Sequence, residues 1–229
     1  MFRKNNEKIV ILFLILWPFL YLFPYTFKLI SVGNDFDLIY FSYKRYIAEL
    51  LSSGVIPFWS PAEGSGFSLI FNPFAQFFYI PGWINYIIYF IKNNLTLYDY
   101  VIYTISAFSI YSLGIFFWLR SLKIDFWIAF TVSIVTICSL KITETIRFPN
   151  AAHSAAWMPW ILYGINLIDK NFTFKNFFLI FISNFFLITA GYPYFIVYSL
   201  FLFIPYIIIF VPLISSKNNF LKYNLLRYT

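Results

Sequence analysis

The sequence predicts an all-α, polytopic helical membrane protein of about six transmembrane helices, with a long outer first loop that contains amphipathic surface helices. Three observations carry this prediction. Of the 229 residues, 61% are hydrophobic and only 11% charged, whereas soluble domains carry about a quarter charged residues; the mean hydropathy is +0.76. The apolar residues gather into stretches close to the roughly 20 that a spanning helix needs. The basic residues fall mainly in alternate connections, as the positive-inside rule requires. A composition this apolar excludes an ordinary soluble domain, because one core of this size cannot hide that much apolar surface, and it excludes disorder.

The first stretch, residues 9–27, follows Arg3, Lys4 and Lys8 in the manner of a signal peptide. Pro18 and Pro24 interrupt it and no small-x-small cleavage site follows, so it reads as an uncleaved anchor with a cytoplasmic N-terminus. The other five stretches are 100–119, 126–140, 155–168, 176–190 and 195–214, and the third to fifth of the six need their flanks to reach full length. A seventh stretch, 74–91, carries Pro81 and Gly82 at its centre with Gln76 and Asn85, which suits a surface-lying or re-entrant helix pair.

The charges decide the seventh stretch. With 74–91 held outside, the cytoplasmic segments contain Arg3, Lys4, Lys8, Arg120, Lys123, Lys170, Lys175, Lys217, Lys222 and Arg227, ten of the sixteen Lys and Arg. The outer face keeps Lys28, Lys44, Arg45, Lys92, Lys141 and Arg147, and it collects Asp35, Asp37, Glu49, Glu63, Asp99 and Glu144, six of the nine acids. Counting 74–91 as a span would move Arg120, Lys123, Lys170, Lys175 and the basic tail outside. The expected location is the cytoplasmic membrane, with the lipid bilayer as first partner and one outer loop at 28–99.

Within that loop Ile39, Tyr43, Tyr46, Ile47, Leu50 and Leu51 recur at helical spacing, opposite Lys44, Arg45, Ala48, Glu49 and Ser52. This predicts an amphipathic surface helix. Asp35 and Asp37 stand just before it, where the chain leaves the first span. Asp35 has two compatible readings, as the cap of the helix and as a functional carboxylate. Two positions apart, the pair shares no helix face, so only one of them suits acid or base work from a single helix.

Other chemistries find little footing. Cys138 is the single cysteine and His153 the single histidine, so no zinc cluster is expected. Asp35-Phe36-Asp37 matches the Asp-x-Asp pattern by which soluble nucleotide-sugar transferases hold a divalent metal. The chain has no Gly-x-Gly-x-x-Gly, no P-loop and no large soluble region, so that reading is set aside; a divalent metal has no further support and no cofactor is expected. The net charge of +7 is spread between apolar runs with no basic stripe, and no nucleic-acid partner is expected. The expected spans hold no charged side chain, against an ion pump or channel.

The order of features resembles a known family. Asp35 after the first membrane helix, the amphipathic helix, then Gly54-Val-Ile-Pro57-Phe-Trp59-Ser-Pro61, Gly64-Ser-Gly66, Asn72-Pro73 and Phe78-Tyr79-Ile80-Pro81 are similar to the first outer loop of YfhO-like bacterial membrane proteins. These belong to the GT-C superfamily of polyprenyl-phosphate-sugar-dependent glycosyltransferases. The similarity continues at Arg120-Ser-Leu-Lys123 and Ala156-Trp157-Met-Pro159-Trp160, and departs at Gly191-Tyr192-Pro193-Tyr194, where such proteins more often have Gly-His-Pro-Gln.

The resemblance implies transfer of a sugar from a polyprenyl-phosphate donor to an envelope glycan or lipid acceptor on the outer face. It implies Asp35 as the base that deprotonates the acceptor, with Asp37 as the fallback. The leaving phosphate calls for a cation, for which Arg147 is preferred among Arg147, Lys141, Lys44 and Arg45. Glu144 and His153 share its polar connection, and Trp59 is the aromatic placed to meet a sugar. Each has a plainer reading: a solvated loop for Arg147 and Glu144, an interfacial hydrogen bond for His153, and the membrane aromatic belt for Trp59. The alternative function is a non-catalytic membrane scaffold or accessory protein of envelope polysaccharide assembly. Because members of the superfamily usually have more than six spans, the chain is expected to be an N-terminal fragment, completed as a bundle by a second chain.

Overall fold

The computed structural model describes residues 2–61 and 64–211. Glu63, the basic tail from Lys217 onward and the end of the sixth expected span lie outside the described residues. The described chain is mostly helical. Its α-helices are α1 (Phe2–Tyr21), α2 (Phe23–Thr26), α3 (Ser42–Ser52), α4 (Ile84–Lys92), α5 (Leu97–Ser121), α6 (Phe126–Ile137), α7 (Leu140–Glu144), α8 (Pro149–Lys170), α9 (Phe174–Thr189) and α10 (Pro193–Pro205). A two-residue hairpin pairs β1 (Trp59–Ser60) with β2 (Phe67–Ser68), Trp59 opposite Ser68.

Helix occupies all six expected places, but in pieces that follow the prolines and the caps. Pro24 has no N–H to donate, and the first stretch breaks at Leu22 into α1 and the single turn of α2. α5 starts at a reciprocal capping box between Thr96 and Asp99, and its 25 residues make it about 37 Å long. Among the described residues it alone is long and apolar enough to cross a membrane unaided. α6 qualifies only together with residues 141–147, across a 48° bend. α8 reaches 22 residues but includes Asn150, His153, Ser154 and Asn166, which lower its hydropathy and which it turns inward. The expectation of six full-length spans thus reduces to one helix that meets both criteria.

Residues 74–91 are not one helix. Asn72 accepts the N–H of Phe74 at 2.9 Å and opens a 3-10 turn over Pro73–Ala75; a second, Ile80–Trp83, holds Pro81 and Gly82 and leads into the nine residues of α4. At about 13 Å, α4 is far shorter than a hydrocarbon core.

α5 is the hub. It packs on α1, α6 and α8, and α8 packs in turn on α9 and α10. Val10, Leu14, Ile115, Phe116 and Ala129 close one end of the α1, α5 and α6 contact. Ile161, Leu162, Leu187 and Phe203 join the last three helices. The loop before α5 caps the bundle: Phe36, Tyr40, Phe41 and Tyr79 are buried in one cluster with Tyr100 and Tyr103 of α5 and Ala152 and Ala156 of α8. Outside these contacts α9 and α10 present Phe178, Phe181, Val197, Leu200 and Phe201, each at least half exposed.

Candidate functional site

After α2 the chain turns at Asn34, in the left-handed region, whose carbonyl accepts the N–H groups of Asp37 and Leu38. A π-helical turn, Phe36–Phe41, follows and runs directly into α3; such wide turns inside helices recur at functional sites. Asp35 stands at the capping position, yet its carboxylate makes no capping bond. Asp35 and Asp37 are both exposed.

The inward face of this helix corrects the expected one. Phe36, Tyr40, Phe41, Lys44, Ile47 and Ala48 are buried, while Ile39 is exposed. Lys44 and Ala48, expected on the polar side, therefore face the interior. Both residues lie on α3 beside Ile47, so the buried face passes through a lysine and an alanine that residue type alone assigns to the polar side. Arg45 stays outside, paired with Glu49 at 3.0 Å.

A cleft of about 320 Å³ opens between the α7 region and the start of α10, lined by Lys141, Glu144, Thr145, Phe148, Tyr192, Tyr194 and Tyr198. Burial pushes the Tyr40 hydroxyl up to about 12, with Tyr192 and Asp35 adding to the effect. Tyr40 therefore remains a protonated donor, and Asp35 and Tyr192 are close enough to act on it. Asp35 itself is not part of the cleft lining. Tyrosine faces and hydroxyls with one carboxylate and one ammonium suit a hydroxylated, partly anionic ligand.

The other expected residues are distributed differently. Glu144 lines the cleft with Lys141, 3.7 Å apart. Arg147 is exposed, its guanidinium 6.0 Å from the Phe148 ring centre, and it is not part of the lining. Lys141 is thus the cation at the cleft wall. Trp59 lies on the hairpin, 58% exposed. Asp37 and Arg45 sit on the exposed face of the same helix as Asp35.

His153 is fully buried. Tyr79 and His153 Nδ1 are 3.1 Å apart, Trp157 Nε1 donates to the Tyr79 hydroxyl at 2.9 Å, and the imidazole stacks on Tyr103 with centroids 4.2 Å apart. Lys44 belongs to the same interior: its Nζ lies 3.4 Å from the Gln76 carbonyl and 5.4 Å from the Tyr86 ring centre, and burial pulls its ammonium down to about 7. Gly82 makes this approach feasible, because a Cβ there would meet the Tyr103 hydroxyl at 3.1 Å and Lys44 Nζ at 3.2 Å.

Two amides unmarked by any sequence motif tie the loop to the turn between α9 and α10. Gln76 Nε2 donates to the Ala190 carbonyl at 2.6 Å, and Asn150 Nδ2 reaches the Pro73 and Gly191 carbonyls at 3.1 and 3.2 Å. Gly191 has a φ of +78°, and a Cβ there would fall 1.9 Å from the Pro73 oxygen. The Gly191-Tyr192-Pro193-Tyr194 motif therefore docks the loop through its glycine and supplies cleft tyrosines through its aromatics. Tyr192, Tyr194 and Tyr198 form a spaced aromatic run along the cleft that the sequence reading did not single out as a site. Among the described residues no three of His, Cys, Asp and Glu come together. No family model matches the chain, and no curated protein or solved structure shows significant similarity to it.

Proposed function

We propose that the chain is a membrane-embedded glycosyltransferase of the GT-C type, moving a sugar from a polyprenyl-phosphate donor to an envelope glycan or lipid acceptor at the outer face of the cytoplasmic membrane. The observation that carries this reading is the tyrosine-lined cleft with Lys141 and Glu144 in its wall, together with an exposed Asp35 carboxylate that makes no capping bond. In this reading Asp35 takes the proton of the acceptor hydroxyl as its oxygen attacks the anomeric carbon, and the polyprenyl phosphate leaves with the bonding pair. Lys141 in the cleft wall balances the growing phosphate charge, with Arg147 nearby. The cleft tyrosines hold the sugar so that attack occurs within a bound pair.

Membrane insertion is supported by the apolar outer faces of α9 and α10, which water would not tolerate but lipid does. In the proposed topology six helices cross, the N-terminus is cytoplasmic, and the shorter helices are accommodated by local thinning of the bilayer. The test compares, by mass spectrometry, the envelope glycans and lipids of the source cell with the gene deleted, restored, and restored as Asp35→Asn at matched protein level. A sugar increment lost on deletion and not recovered by Asp35→Asn supports the transferase. Full recovery by Asp35→Asn removes Asp35 as base and favours the scaffold.

A further inference from the structure

A second cavity, about 430 Å³, lies where α2 gives way to the loop and α5 begins, and it shares no lining residue with the cleft. One wall is Leu29 and Ile30, the other Leu97, Tyr98 and Val101, and Lys28 stands beside it. The Tyr98 hydroxyl donates to the Thr26 carbonyl at 2.8 Å, which holds the ring in place as a wall. Lys28 adopts a φ of +61°, unusual for a residue with a Cβ. Its ammonium rests 4.2 Å from the Tyr98 ring centre.

The charge of Lys28 is not matched. Among the described residues it has no carboxylate at ion-pair distance, and the nearest acid in sequence on the facing helix, Asp99, is already held by Lys92 at 2.7 Å and by the capping box. Leu29 and Ile30 are 66% and 50% exposed, so the slot next to this cation is apolar and open. A free inorganic anion would use the ammonium and leave the apolar walls bare. A lone acyl chain would use the walls and leave the charge.

We propose that this cavity binds one anionic phospholipid, with its phosphodiester on Lys28 and an acyl chain along Leu29, Ile30 and Val101. The site rests on the membrane reading above and is independent of sugar transfer. Bound there, the lipid would fasten the junction of the first two long helices to the leaflet, and the loop that carries Asp35 begins at this junction.

The full chain is reconstituted in phosphatidylcholine nanodiscs doped with phosphatidylglycerol, and lipids retained after detergent release are counted by native mass spectrometry. Selective retention of one phosphatidylglycerol is expected, with about fivefold weaker retention in Lys28→Gln, the effect of one interfacial cation, and recovery in Lys28→Arg. Circular dichroism shows that the variants keep their helix. Equal retention of the two lipids, no change in Lys28→Gln, or displacement of the lipid by millimolar inorganic phosphate would each overturn the site. A chain that stays outside the nanodisc overturns the membrane reading as well, an outcome distinct from a chain that inserts without lipid preference.

Discussion

Lys44 and Gln76 meet inside the protein, ammonium nitrogen to main-chain oxygen at 3.4 Å, with the Tyr86 ring beneath the lysine and no carboxylate bonded to it. Isolated charges are expensive to bury, and the interior favours the neutral amine.

Stability should therefore rise with pH. With the folded value near 7 and the unfolded value at 10.5, the unfolded chain binds one more proton between them, which steepens stability by about 1.4 kcal/mol per pH step in that window. Below the folded value both states are protonated and the full penalty remains. Thermal melts in detergent at pH 7 and pH 9.5 read this directly. In Lys44→Met the slope should vanish, and a slope that persists would assign it to another group.

Tyr79→Phe leaves His153 Nδ1 and Trp157 Nε1 without their shared partner in a buried place. The expected loss is about 1–3 kcal/mol, the cost of unsatisfied buried polar atoms, read as a lower unfolding midpoint. A neutral result would mean that water enters and replaces the hydroxyl.

Gly191→Ala should do much more than Gly54→Ala, although both glycines have a φ of +78°. At Gly54 nothing lies near the added methyl, and only the left-handed backbone penalises it, by about 1–2 kcal/mol. At Gly191 the methyl would meet the Pro73 carbonyl, so the loop must leave its dock. Limited proteolysis should cut residues 54–72 far faster in Gly191→Ala, and equal cutting would show that the dock is dispensable.

Asp35→Asn should leave the unfolding midpoint within about 0.5 kcal/mol of the parent, because the carboxylate caps nothing. In the glycan assay Lys141→Gln should reduce the increment more than Arg147→Gln, since only Lys141 lines the cleft. The reverse order would restore Arg147 as the cation for the leaving phosphate.

Much of the fold was legible from local pattern. The six helical places, the interruption of 74–91 at Pro81 and Gly82, and the helix after Asp35 follow from periodicity and from what proline and glycine allow within a few residues, whereas the break at Leu22 inside the first stretch was not expected. The site was less legible. Asp35 and Glu144 were marked by type and position, but Lys44 was placed on the wrong face, because a lysine reads as solvent-facing and only the packed loop shows that it is enclosed. Arg147 was preferred to Lys141, yet Lys141 lines the cleft and Arg147 does not, because the sequence does not tell which side of a short helix faces it.

The sequence alone determined the helical class and the positions of the apolar segments, since hydropathy and backbone restriction act over a single turn or span. The tertiary structure decided which polar groups share an interior. Gln76 bonds the Ala190 carbonyl across 114 positions and Tyr79 meets His153 across 74; neither pairing has a local signal in either segment. Such contacts exist because the loop before α5 folds down on the paired ends of α5 and α8, where buried amides and hydroxyls must find partners and only the assembled packing decides which ones are in reach.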